Sequence, residues 1–180
     1  RDNDWFGGVK DNLLSPGPWG HGPHPDREPL IGWYDDRQQE VLDTHILQAA
    51  SRGIDHFCFY YYFDWDGSKP RGGQNVELWK TSPYRYLMDY YLCFVADGGY
   101  GEKEWRENIV PKLIEFMKEP YYKKVKSDDP EMDGRPILGF FGDMLNRLGG
   151  TEEKSRENLQ YLRDKCIEEG LKNPLLLVDG

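Results

Sequence analysis

The sequence predicts an α/β fold built from parallel βα units, and three observations carry that prediction. The first is the stretch Gly53-Ile-Asp-His-Phe-Cys-Phe-Tyr-Tyr-Tyr-Phe-Asp-Trp-Asp-Gly67, an apolar and aromatic run too short for a buried helix and rich in strand formers. Such a run reads as a strand covered on both faces. The second is strict alternation of helix-like and strand-like segments, which gives parallel strands joined by right-handed crossovers. The third is an aspartate directly after each strand-like run: Asp64, Asp97, Asp143 and Asp179. Strand ends of this kind form the edge where α/β folds place their ligands. Two architectures fit, a section of a (β/α)8 barrel of the TIM type and a small open doubly wound sheet. A whole barrel takes about 250 residues. Four strands in 180 residues therefore make part of one, and the chain is expected to be a single incomplete α/β domain.

Composition narrows the function. Hydrophobic residues make up 38% and charged residues 31%, which excludes a disordered chain. No apolar run approaches the ~20 residues that span a bilayer. A formal charge of −9 argues against nucleic acid, because no broad basic face exists to neutralise phosphates. Aromatics reach 14%, with six Trp and twelve Tyr; they fill a large core, and they also suit a sugar-binding surface. The three cysteines, Cys58, Cys93 and Cys166, have no disulfide or zinc spacing and are expected as buried free thiols. No metal or cofactor is expected.

Along the chain, residues 1–34 form a long irregular segment punctuated by Gly7-Gly8, Ser15-Pro16-Gly17-Pro18 and Gly22-Pro23, with Trp5, Phe6, Trp19 and Trp33 as anchors. Asp2-Asn-Asp-Trp-Phe-Gly opens like a calcium loop but lacks the acid at its fifth position. His21 and His24 read as loop histidines. Asp35-Asp36 caps a helix running to Ser51-Arg52, with Val41, Leu42, His45, Ile46 and Ala49 on one stripe and Gly53 closing it. His45 reads as a partly buried core histidine. A polar loop from Asp66 to Pro83 holds a short helix at Val76–Lys80. A second strand covers Tyr86–Ala96, and a helix spans Glu102–Lys118 with a kink or a broken first half expected from Pro111. Ile137–Phe141 forms the third strand. A helix capped by Thr151 and stopped by Gly170 follows, and Leu175–Val178 is the fourth strand.

Side chains alternate along a strand, so parity decides which face each acid joins. Asp64 shares its face with His56, Cys58, Tyr60 and Tyr62, Asp97 with Tyr91 and Cys93, and Asp143 with Gly139 and Phe141. Phe57 and Phe59 then face the helices. Small and polar groups inside with bulky ones against the helices suit a barrel interior, with the acids gathered at one mouth. An Asp after a strand serves equally well as an N-cap or a turn former. The residues expected to converge on a ligand are Tyr62, Asp64, Trp65, Asp97, Tyr100 and Asp143.

Trp33-Tyr-Asp35, the helix after it and Gly53-Ile-Asp-His-Phe-Cys-Phe-Tyr-Tyr-Tyr-Phe63 resemble the early part of glycoside hydrolase family 99 and its WbsX-like glycosyltransferase relatives. Ile109-Val-Pro-Lys-Leu-Ile-Glu-Phe116, Pro120-Tyr-Tyr-Lys123 and Asp133-Gly-Arg-Pro-Ile-Leu138 resemble a later segment of the same group, so that the likeness covers residues 30–142. The resemblance implies a (β/α)8 barrel acting on glycans, in the hydrolase branch an endo-acting retaining enzyme on α-mannosides. It also implies sugar-site acids after two successive strands, where Asp97 and Asp143 stand, Asp97 in place of the usual Glu. The family's catalytic pair lies in a Glu-Trp-His-Glu-like motif that this sequence lacks; Glu102-Lys-Glu104-Trp105 opens a helix and takes no role. The expectation is a glycan-active enzyme whose catalytic glutamates lie outside this segment. The alternatives are an inert glycan-binding barrel, a polysaccharide-building glycosyltransferase and a doubly wound nucleotide-binding domain. The last lacks a glycine-rich phosphate loop, since Gly98-Gly99-Tyr-Gly101 has the wrong spacing. The expected partner is a glycan or polysaccharide, in a secreted or periplasmic setting ahead of the cytoplasm.

Overall fold

The computed structural model describes residues 28–71, 73–96, 100–142 and 147–179. Its strands are β1 (His56–Tyr61), β2 (Asp89–Val95), β3 (Ile137–Phe141) and β4 (Leu175–Asp179), in the order β1-β2-β3-β4. All three neighbouring pairs are parallel. Between and before them lie α1 (Gln39–Ala50), α2 (Gln74–Thr81), α3 (Glu102–Glu104), α4 (Val110–Met117) and α5 (Glu152–Glu168), so helix and strand alternate as the sequence predicts.

Strand order bears on the two expected layouts. A doubly wound sheet reverses its order at a switch point, and this sheet has no reversal. Register places Tyr61 opposite Phe94, Phe57 opposite Tyr90 and Phe94 opposite Phe140, so these side chains share one face. The helices pack there. Trp79 of α2 lies 4.7 Å from the Tyr90 ring, Phe116 of α4 5.1 Å from Tyr61 and Trp105 5.8 Å from Phe94. The Trp105 indole donates to the Asn158 carbonyl of α5, and Cys166 of α5 meets the Met117 sulfur at 3.8 Å. The opposite face carries no helix among the described residues. There Tyr60 is 50% exposed, Phe141 42% and Leu177 42%. The doubly wound alternative is thus corrected to a sheet wound on one side.

Local chemistry explains where the elements differ from expectation. Asp35 does not cap α1; its carboxylate is taken by Arg37, whose Nε and Nη2 donate at 2.7 and 2.6 Å, and the helix begins after Gln38. The Glu102–Lys118 segment has the broken first half expected from Pro111 rather than a simple kink. A π-helical turn, Trp105–Ile109, joins α3 to α4, and Pro111 stands in the first turn of α4. A proline has no N–H to give and its ring crowds the carbonyl four residues back; the wider turn absorbs both defects. The second strand starts at Asp89 because Arg85–Leu87 forms a 3-10 turn. Thr151 does cap α5, its hydroxyl accepting from the Lys154 N–H at 3.3 Å.

Burial follows the same faces. Leu42, Ile46 and Ala49 of α1 are buried, and His45 is half-buried against Tyr34, as a core histidine should be; burial lowers its pKa. Under the sheet, Glu119 accepts from Tyr90 Oη at 2.7 Å and pairs with Lys80 at 2.8 Å. Tyr122 Oη donates to the Ile137 carbonyl and accepts from the Leu92 N–H, tying β2 to β3.

Candidate functional site

The chain leaves β1 by a tight hairpin. Phe63 and Pro70 form an antiparallel bridge, the Arg71 N–H donates to the Tyr62 carbonyl, and the Asp64 N–H donates to the Lys69 carbonyl. Asp66 accepts from the Ser68 N–H at 3.0 Å, an Asx turn that closes the tip. The Gly67 carbonyl accepts from Asn108 Nδ2, which fastens the tip to the π-helical turn. Backbone pairing therefore sets Tyr62 beside Arg71 and Asp64 beside Lys69, with Trp65 at the turn.

Side chains complete the arrangement. The Arg71 guanidinium lies over both the Tyr62 and Trp65 rings, 5.9 and 5.6 Å from their centroids. Asp64 Oδ2 is 3.6 Å from Lys69 Nζ. Trp65 is 63% exposed, an unusual position for an indole. A cavity of about 830 Å³ opens beside this cluster, lined by Asp36, Arg37, Tyr60, Tyr62, Arg71 and Asn75 among others. It runs from the free edge of β1 to the mouth of the sheet, and its size is that of a small-molecule cleft.

Of the expected site residues, Tyr62, Asp64 and Trp65 come together at this strand end. Tyr100 does not join them. It is 2% exposed, with its ring 5.6 Å from Phe94 in the core. Asp97 and Asp143 lie outside the described residues, as do Trp5, Phe6, Trp19, His21, His24 and the calcium-like opening. Asp179 ends β4, its backbone opposite Phe141. Arg71 and Lys69 were not anticipated; the turn pair Asp66-Gly67 directly after the aromatic run is the one signal of the hairpin.

On the helix-free face, Tyr60 and Phe141 meet edge to face at 5.7 Å across β2, where the small Cys93 and the bare backbone of Gly139 leave room. Cys58 is exposed there, a correction to the expected buried thiol, whereas Cys93 and Cys166 are buried. Hydrogen bonds from Cys93 and Tyr91 bring the Cys58 thiol down to about 6, and burial pushes Cys166 up to about 12. At the opposite, N-terminal end of the sheet, Asp55 joins His56 Nδ1 at 2.6 Å and Lys123 Nζ at 2.8 Å, with Asp89 3.5 Å from the same Lys123. Among the described residues no group of three or more His, Cys, Asp or Glu is placed to hold a metal ion. No helix of the described residues is long and apolar enough to cross a membrane.

No family model, curated protein or solved structure matches this chain.

Proposed function

We propose that these four βα units are part of a (β/α)8 barrel that acts on glycans through a cleft at the C-terminal ends of its strands. The observation that carries this reading is the one-sided sheet. Parallel sheets are found with both faces covered, yet here Cys58, Tyr60, Phe141 and Leu177 face solvent while every described helix packs on the other side. Further strands pairing with the free edges of β1 and β4 would curl that face inward as a barrel interior. The mouth end of the cleft, beyond Tyr61, stays open in that arrangement.

The chemistry at the mouth suits a sugar. A pyranose offers an apolar C–H face to a flat ring and hydroxyls to carboxylates and guanidinium groups. Trp65 and Tyr62 supply rings, and Asp64 and Arg71 supply polar partners. Glycoside cleavage needs two carboxyl groups about 5–9.5 Å apart. Asp64 is held by Lys69 instead, and this favours a second reading in which the protein binds glycans without cleaving them.

The test is a titration of the full-length protein with α-mannan oligosaccharides, followed by assay for new reducing ends. Binding that Trp65→Ala weakens at least about fivefold, as an interface hot spot would, supports the proposal. Absence of binding overturns it. New reducing ends separate the enzyme from the binder.

A further inference from the structure

The hairpin that carries Asp64 and Trp65 is short. Phe63 and Pro70 make an antiparallel bridge, and the Asp64–Lys69 backbone bond closes a loop over residues 65–68. A two-stranded hairpin by itself is marginally stable in water. Its tip, however, is docked on the next βα unit. The Gly67 carbonyl accepts from Asn108 Nδ2 at 3.1 Å. Gly67 holds φ +67°, and a Cβ there would stand 2.9 Å from the Glu104 Cβ and 3.2 Å from the Tyr100 ring. The backbone of the tip therefore lies directly on both side chains. Asn108 belongs to the π-helical turn, where the Val110 N–H donates to the Trp105 carbonyl. Turns of this kind are frequent at functional sites. Here the turn presents an amide donor to the carbonyl two residues after Trp65.

We propose that Asn108 is a positioning residue for the sugar platform: its hydrogen bond to Gly67 holds the loop so that Trp65 is in place before a ligand arrives. A loop that must be ordered on binding costs affinity, and a loop already held in its bound form avoids that cost. Trp65 is 63% exposed, so burial of the indole does little to order the loop. Tyr100, found in the core instead of at the mouth, takes a supporting part by carrying the Gly67 backbone. A hydrogen bond of this type is equivalent to about two- to tenfold in an equilibrium constant. The proposal rests on the glycan reading above and adds the residue that sets the platform's position.

The test uses the full-length protein. In Asn108→Ala the amides of Gly67 and Ser68 are expected to exchange with deuterium at least about threefold faster, with the amides of β2 unchanged. Asn108→Asp keeps the shape without the donor and should do the same, whereas Asn108→Gln keeps the donor and should recover part of the protection. Affinity for α-mannan oligosaccharides should fall about two- to tenfold in Asn108→Ala. In a Trp65→Ala background the same substitution should change affinity by less than about 1.5-fold, because Asn108 acts through the indole. Unchanged loop exchange in Asn108→Ala, or a loss of affinity that is the same with and without Trp65, overturns the proposal. If oligosaccharides bind through Trp65 and the Asn108 variants bind as tightly as wild type, only the positioning role falls. If no oligosaccharide binds the wild type, the glycan reading falls and this proposal with it.

Discussion

Asp55 shows how one exposed side chain sets a pH dependence. Lys123 and His56 hydrogen-bond to its carboxylate and hold its pKa at about 2, against an ordinary value of 3.8. A carboxyl whose folded pKa is depressed stabilises the fold above its unfolded pKa, and that contribution fades as pH falls through the folded value. The unfolded chain binds the extra proton between about pH 4 and pH 2, so stability drops across that window. Thermal melts from pH 5 to pH 2 should show a steeper acid limb in wild type than in Asp55→Asn. Equal limbs would remove Asp55 from the account. Trp65 is the other residue whose exposure calls for an explanation, and its role is tested by the sugar titration. Among single residues, Cys58 was misjudged in the sequence because its apolar neighbours suggested burial. Its exposure comes from an uncovered face, which a strand's own residues do not reveal.

At the scale of elements, the alternation of helices and strands was legible because each has its own periodicity and stop signals. Gly53 and Gly170 close α1 and α5 with positive φ, and Thr151 opens α5. The split of β1 into a phenylalanine face toward the helices and a polar face away from them followed from parity alone. Three features were not legible. Asp35 met Arg37, a choice that depends on side-chain geometry rather than on type. Pro111 was expected to kink or break its helix, but that the break takes the form of a π-helical turn was not readable. The hairpin after β1 was hidden because its pairing partners, Phe63 and Pro70, do not look like strands. Gly73, which opens α2 at φ +86°, gives the element-scale prediction. An added Cβ there would run into the Tyr61 ring, itself buried against Phe63 and Phe116, whereas a Cβ at Gly53 (φ +79°) meets nothing within 4 Å. Gly53→Ala should therefore cost about 1 kcal/mol from backbone strain alone, and Gly73→Ala at least about 2 kcal/mol. Denaturant melts giving equal losses would mean that the contact at Tyr61 relaxes freely.

For the whole molecule, the sequence carried the parallel sheet and the position of Tyr62, Asp64 and Trp65 after β1, but not the partners they meet there. Tyr62, Asp64 and Trp65 could be placed by strand parity and end position. Arg71 depended on the hairpin, and Tyr100 turned inward because Phe94 and the core accept its ring. The functional proposal depends on the helix-free face being the inside of a closed barrel, since only then do the strand ends surround one shared cleft. Cys58 lies on that face, exposed to solvent among the described residues, and a closed barrel would cover it. The most direct measurement is the rate at which iodoacetamide modifies Cys58 in the folded full-length protein at pH 7.5, compared with the same protein in denaturant. The closed barrel predicts that folding slows the reaction at least about a hundredfold, as local-opening protection of a buried site would; a folded-state rate equal to or faster than the denatured one would contradict it.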